Sequence, residues 1–232
     1  MKLVTWNCAM ALHKKFEKLL KFDADIIVVQ ECSQAFVKQT GHSQGWSSTW
    51  FGKNLNKGLG VLVRAPWNIR EARALKPQWI AKLVIDGPVS IDLFPVWACV
   101  GTRRAEAYIG QVHRLLDSIE RKSPAAFTII LGDFNSNSIW DHQHRINSHS
   151  DAVERFRKLG FKSAYHEYFQ GAQGAERHPT YWHTKKKTKP FHIDYVFLSA
   201  KLSSRLKRVE VGHHKDWLSC SDHAPVVVEL DT

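Results

Sequence analysis

An aspartate and an asparagine two residues apart, Asp133 and Asn135, follow an apolar run, Phe127–Leu131, across Gly132. The run is short, β-branched and aromatic, the pattern of a buried strand. Side chains alternate along a strand, so Asp133 and Asn135 can point the same way at its end. A carboxylate and an amide then share one strand mouth, a common place for a site in α/β proteins. Taken alone, the pair suits a turn equally well, since both residue types are frequent there. More groups of these kinds fall at expected strand ends or in the adjoining turns: Asn7, Glu31, Asp194, Asp222 and His223. Asp194 interrupts the apolar run Ile193–Leu198, and is costly there unless it is paired or lies at the strand mouth. Asp222 and His223 are neighbours, so both can serve one site only from a turn. Carboxylates, amides and an imidazole are groups that move protons and bind charge.

The elements that must hold these groups are many strands and few helices. Lys2–Trp6 predicts a first strand ending at Asn7. His13–Lys21 predicts an amphipathic helix, with Leu12, Phe16, Leu19 and Leu20 at helical spacing. Ile26–Val29 is a second buried strand that carries Glu31 just past its end. Trp46–Phe51, Leu59–Arg64, Asn68–Leu75, Trp79–Ile85 and Ser90–Cys99 are further strands, with hairpin turns over Gly52–Gly58 and Asp86–Pro88. Arg104–Arg121 predicts a long helix and Asn137–His149 a polar loop. Asp151–Leu159 predicts a short helix with Asp151 at its N-cap. Ala164–Tyr168, Thr180–His183, Ile193–Leu198, Leu206–Val211 and Pro225–Leu230 complete the strands. This order implies a layered α/β sandwich over residues 1–232 as a single domain, with two packed sheets and helices outside.

The chain has 232 residues and a net charge of +11, from 33 basic and 22 acidic side chains. Such an excess favours anionic partners such as nucleic acid, phosphorylated molecules or an acidic membrane surface. Cys8, Cys32, Cys99 and Cys220 are widely spaced and form no zinc pattern or disulfide framework. Reduced thiols in a cytoplasmic protein are the simplest account. There is no signal-peptide pattern and no apolar run long enough to span a membrane.

Trp6-Asn7, Gln30-Glu31, Gly132-Asp133-Phe134-Asn135, Ile193-Asp194-Tyr195 and Ser221-Asp222-His223-Ala224-Pro225, in that order, resemble the endonuclease/exonuclease/phosphatase superfamily. Lys57–Val63 and Pro179–Trp182 are similar to family segments too. The resemblance implies a four-layered α/β sandwich of two mostly antiparallel mixed sheets flanked by helices. It implies cleavage of phosphate esters with a divalent cation, usually Mg2+, with Mn2+ as a substitute. Glu31 is then the first metal ligand, with Asn7 and Asp222 beside it. Asp133 takes a proton from the attacking water, and Asn135 holds that water or a phosphate oxygen. His223 binds the scissile phosphate, and Asp194 accepts the other imidazole proton. Two positions depart from the family pattern. Ala9 stands where some nuclease branches carry an acid. Val96-Trp97-Ala98 stands where a histidine or tyrosine is usual, and an indole offers no acceptor. Tyr108 or Arg103 is the expected replacement for that contact.

The leading expectation is a metal-dependent phosphodiesterase acting on nucleic acid as a DNA endonuclease or exonuclease, and working as a monomer. One rival is a phosphatase or phosphodiesterase for a small phosphorylated metabolite or lipid headgroup. A third reading is a non-catalytic nucleic-acid-binding module. Lys185, Lys186, Lys187 and Lys189, with Asn7, are the expected substrate contacts, the lysines clamping the phosphate backbone from an exposed hairpin loop. A charge run of this kind is also a common solvated face. Trp140, Trp182 and Trp217 are candidates for stacking on bases. Asp141, His142, His144 and His149 are better read as loop residues than as a second metal site.

Overall fold

Strand alternation sorts the apolar residues into one core between two sheets and one core outside each sheet. The computed structural model describes residues 1–43, 45–75, 79–101, 107–143 and 146–231. The chain runs β1 (Lys2–Asn7), α1 (Phe16–Leu20), β2 (Ile26–Cys32), α2 (Gln34–Ser43), β3 (Trp46–Asn54), β4 (Lys57–Arg64), β5 (Asn68–Ala74), β6 (Ala81–Asp86) and β7 (Ile91–Trp97). It continues through α3 (Ile109–Glu120), β8 (Thr128–Asp133), α4 (His149–Lys158), β9 (Phe161–Ser163), α5 (Ala164–Phe169), β10 (Tyr181–Trp182) and β11 (Pro190–Phe191). It closes with β12 (Asp194–Ser199), α6 (Ala200–Ser203), β13 (Leu206–Val211), α7 (His214–Trp217) and β14 (Val226–Leu230).

One six-stranded sheet has the order β13-β14-β1-β2-β4-β3, and the other β5-β6-β7-β8-β12-β9. Each contains one parallel pair, β1 with β2 and β7 with β8, and its other pairs are antiparallel. A parallel pair needs a crossover, and these pass through α1 and α3. Leu3, Ile26, Val28 and Val61 of the first sheet meet Leu93, Ile129, Leu131 and Val196 of the second. On the far side of the first sheet, Val4, Trp6, Ile27 and Val29 pack with Leu12, Phe16 and Leu19. On the far side of the second, Ile130, Tyr195 and Phe197 pack with Val112, Leu116 and Phe156 of α3 and α4. The result is the expected four-layered sandwich. Each fully buried aliphatic side chain contributes roughly 1.5–3 kcal/mol.

Several local expectations change. Ala164–Tyr168 is not a strand but most of α5. The aromatic run has β character, but a helix lets Tyr165 and Phe169 share one face, with ring centroids 4.8 Å apart. Ser148, not Asp151, caps α4. Asp151 is its reciprocal partner three residues on, in a capping box. The polar stretch before it contains a 3-10 helix, Ser138–Gln143. The first helix is shorter than its periodicity suggests, because Leu12–Lys14 is a separate 3-10 turn. Strand β10 is confined to Tyr181–Trp182. The sequence pattern does not predict helix α2, strands β9 and β11, or the short helices α6 and α7. The expected helix start at Arg104 lies outside the described residues, and α3 begins at Ile109. Among the described residues, no helix is long and apolar enough to cross a membrane.

Candidate active site

The carboxyl ends of the two parallel pairs meet between the sheets, and alternation decides which side chains face the gap. In β8, Ile129 and Leu131 belong to the inter-sheet core, so Asp133 falls on the same inner face. In β12, Val196 and Leu198 are inner residues, and so is Asp194. Register sets Asp194 directly opposite Asp133 on the adjacent strand. Asn7 ends β1 in the facing sheet, and its Nδ2 donates to Asp133 Oδ2 at 3.0 Å. Asn135 has φ 46, a left-handed conformation that asparagine tolerates better than most residues. That turn lets its backbone N–H donate to Asp133 Oδ1 at 2.9 Å and its Nδ2 to Asp133 Oδ2 at 2.9 Å. Gly132, just before Asp133, has φ +142, and a Cβ there would collide with the Val96 carbonyl oxygen.

Glu31 reaches the site by an irregularity. Ile27 and Val29 face the helices, so regular alternation would send Glu31 outward with them. The β2–β4 register shifts between Gln30 and Cys32, and Glu31 has φ 61. This bulge re-aims the carboxylate, and Asn7 Nδ2 lies 3.4 Å from its Oε1. After Asn7, residues Ala9, Met10 and Ala11 are all left-handed. The Lys15 ammonium holds that turn through the carbonyls of Cys8 and Met10, at 2.6 and 2.9 Å.

His223 sits in the turn before β14. Its backbone N–H donates to Ser221 Oγ, which donates to the Asn7 carbonyl at 2.7 Å, and Trp6 Nε1 donates to the His223 carbonyl at 2.9 Å. The imidazole Nδ1 lies 2.9 Å from Asp194 Oδ2, and its Nε2 lies 4.0 Å from Asp133 Oδ2. Asp133, Asp194 and His223 are all buried. Burial pushes the Asp133 carboxyl up to about 7; the His223 charge pulls it down and the Asp194 charge adds to the rise. Burial disfavours the His223 imidazolium, but the Asp194 and Asp133 carboxylates outweigh it and hold the ring up at about 9. At neutral pH the ring is therefore an imidazolium. It donates through Nδ1 to Asp194, and Nε2–H remains for a substrate oxygen.

The donor set fits a hard divalent cation at Glu31. Among the described residues its Oε1 has only the long contact to Asn7, and the carboxylate already draws one cation, with Lys57 Nζ at 3.1 Å from Oε2. Ligand atoms of Asp133, Asp194 and His223 also lie within 4.8 Å of one another. That cluster is the poorer cradle, because Asp194 Oδ2 and His223 Nδ1 already bond each other and Asp133 already accepts three hydrogen bonds. Asp194 Oδ1 is buried without a hydrogen-bond partner. Asp222, half-buried beside His223, adds to the negative field on that ring.

An open groove of about 670 Å³ leads away from Asn135, lined by Tyr108, Trp140, Tyr181, Phe191 and Lys189 among others. Tyr181 packs at a tilt against His223, with ring centroids 4.7 Å apart, and Trp140 likewise against Phe191 at 5.0 Å. The lysine run forms the turn of the β10–β11 hairpin. Only Lys189 of its four lysines lines this groove; Lys185, Lys186 and Lys187 are exposed away from its wall. Trp182 and Trp217 are buried beneath the helices, so they cannot stack on a base, whereas Trp140 can. Tyr108 is placed beside Asn135, and Arg103 lies outside the described residues. Asp141 accepts from the backbone N–H groups of His149 and Ser150, and His149 is buried against Ser136 and Gln173. Neither faces a shared metal position, and His144 lies outside the described residues. Lys57 and Tyr181 lie in segments similar to the family's, but nothing local gives either a role; both come to the site through hairpin register.

Residues 4–223 match the model of the Endonuclease/Exonuclease/phosphatase family. Among solved structures, the 3′ phosphatase NExo from Neisseria bound to a product DNA hairpin superposes with a TM-score of 0.75 at 19% identity, covering 100% of both chains. An AP endonuclease from Archaeoglobus fulgidus gives 0.76 at 17% identity, again over 100% of both chains. D. rerio TDP2 complexed with a single-strand DNA product gives 0.72 at 12% identity, over 100% of this chain and 99% of that one. At such identities the likeness shows the fold. No curated protein matches the sequence.

Proposed function

The chain belongs to the endonuclease/exonuclease/phosphatase family, and from that premise we propose that it is a divalent-metal-dependent phosphodiesterase that hydrolyses DNA. The observation that carries this reading is the pairing, inside one buried site, of a carboxylate raised to about 7 with an imidazolium fixed by a second carboxylate. Asp133 accepts a proton from the attacking water, and Asn7 and Asn135 hold its oxygens in place. His223 presents Nε2–H to a non-bridging oxygen of the scissile phosphate and stabilises the charge that develops there. Asp194 fixes the orientation and protonation of that ring. Glu31, with Asn7 and Asp222, would hold magnesium, or manganese in its place. The bound ion supplies charge neutralisation at the phosphoryl group.

The groove supports a nucleic-acid substrate. Tyr108, Trp140, Tyr181 and Phe191 offer π-faces beside the site, and Lys189 lies on the same wall. The net charge of +11 acts in the same direction. Two similarly folded structures, that of NExo and that of TDP2, hold DNA products. A small phosphorylated metabolite would leave most of this wall without a partner. A purely binding role would not call for a buried Asp133–His223–Asp194 set, since burying such charges is costly. The test is a magnesium-dependent activity panel of DNA, RNA, abasic duplex and inositol phosphates. Hydrolysis of DNA above the others is expected; turnover of inositol phosphates alone would overturn the reading.

A further inference from the structure

The acid expected after the first-strand asparagine is replaced by Ala9, and the residue expected to face the phosphate is replaced by Trp97. Lys57 lies between the remaining carboxylate, Glu31, and the Trp97 ring. Its Nζ lies 3.1 Å from Glu31 Oε2 and 5.5 Å from the Trp97 ring centroid, over a ring that is itself buried between the sheets. An ammonium over an indole face is held by the ring quadrupole as well as by the carboxylate. The backbone beneath it is fixed. Asn54 pairs with Lys57 and Trp50 with Gly60 across the β3–β4 hairpin, and Cys32 pairs with Gly58 just beyond the Glu31 bulge. Trp50 closes over Gly58, where a Cβ would strike its ring, and Trp50 Nε1 donates to the Cys32 carbonyl at 3.0 Å. The hairpin that places Lys57 therefore also braces the bulge that aims Glu31.

We propose that Lys57 is a resident cation that shares Glu31 with the divalent metal and sets how weakly this centre holds it. The inference rests on Glu31 being a metal ligand. The centre lacks the acid that Ala9 replaces, and its remaining carboxylate is partly neutralised by a positive charge that cannot leave without breaking the Trp97 contact. Two cations on one carboxylate repel each other. Over a few ångströms that repulsion is worth roughly tenfold in affinity even at a water-like dielectric. Lys57 thus acts through Glu31 as a positioning residue: it fixes one carboxylate oxygen and weakens the other as a ligand. Glu31 would consequently hold a divalent cation more loosely than an unshared carboxylate would.

The test is Mn2+ binding by electron paramagnetic resonance, on the full chain without substrate, for wild type, Lys57→Met and Lys57→Arg. Lys57 is partly exposed, and thermal melts confirm that each variant is folded. Lys57→Met is expected to bind Mn2+ roughly tenfold more tightly than wild type, about 1.4 kcal/mol, and Lys57→Arg to stay within roughly twofold of it, its charge being kept. In a Glu31→Gln background the Lys57→Met gain should disappear, since a coupling through Glu31 is lost with Glu31. Unchanged or weaker Mn2+ binding in Lys57→Met would overturn the inference. So would a gain that survives Glu31→Gln, or no measurable binding by any of these proteins. A wild type that binds Mn2+ but hydrolyses nothing in the activity panel would refute the proposed activity and leave this inference standing.

Discussion

Replacing Asp194 with Asn keeps the size of the side chain and removes the charge that pairs with His223. In the native site the two atoms are 2.9 Å apart and both residues are buried. Burial alone lowers the His223 ring, and Asp194 is the largest of the effects that raise it to about 9. Without that charge the remaining carboxylates are Asp133, 4.0 Å from Nε2, and Asp222. The imidazole should then titrate well below its native value, because burial still disfavours the charged ring and its strongest partner is gone. A neutral ring at pH 7.5 stabilises phosphoryl charge poorly, so turnover should fall roughly 100- to 1,000-fold. The assay is an NMR titration of the His223 ring nitrogens alongside single-turnover cleavage. A His223 pKa still near 9, or a rate within roughly threefold of wild type, would show that Asp194 does not hold the ring charged. The linkage has a definite sign. A histidine raised in the folded state adds stability that is fully present below about pH 6.5 and is lost as pH rises through about 9. The stability advantage of wild type over Asp194→Asn should therefore narrow across that window.

His149 is buried and pushed down to about 4 by burial, so the unfolded chain binds its proton first. The His149 contribution should be lost as pH falls from about 6.5 through 4. It is read as the difference in melting temperature between wild type and His149→Gln, because Asp133 has the opposite slope over part of that range; equal acid slopes would contradict it. Gly132→Ala should cost roughly 2 kcal/mol or more, from its φ of +142 and the collision with Val96, and a melting point within experimental error of wild type would refute the strain. Lys189→Gln should raise KM for DNA and reduce the salt slope of binding by about one, whereas Lys186→Gln should change neither. Equal effects at the two positions in a salt titration would show that the groove is not the substrate path.

Asp133 and Asp194 are legible because each places a charge at the end of, or within, an apolar run, which folding tolerates only with partners. Their being opposite one another on adjacent strands is not legible, since register is set by long-range pairing. The arrival of His223 from the other sheet is hidden for the same reason. Glu31 is legible as a type but not as an aim: its orientation depends on a bulge that the β4 partner induces. Helix α2 is missed because Gln34–Ser43 carries only Phe36 and Val37 as large apolar residues, too few to trace a face. The run Ala164–Phe169 misleads because aromatic residues favour strands in general, while here tertiary contacts choose a helix. Trp182 and Trp217 look available beside the motifs, yet α1 and the first sheet cover them. Lys57 opens a family-like segment, yet its role is not legible there, because that role comes from Glu31 and Trp97, each distant in sequence.

The most direct measurement is cleavage of end-labelled DNA by wild type and Asp133→Asn, each with magnesium and with excess chelator after metal removal. Chelation should abolish wild-type turnover and added magnesium or manganese should restore it. Asp133→Asn should be slower by roughly a thousandfold with metal present, while still folding, although its amide cannot accept all three of the hydrogen bonds that Asp133 accepts. Full turnover in chelator, or an Asp133→Asn protein as fast as wild type, would contradict a metal-dependent phosphodiesterase centred on Asp133 and His223.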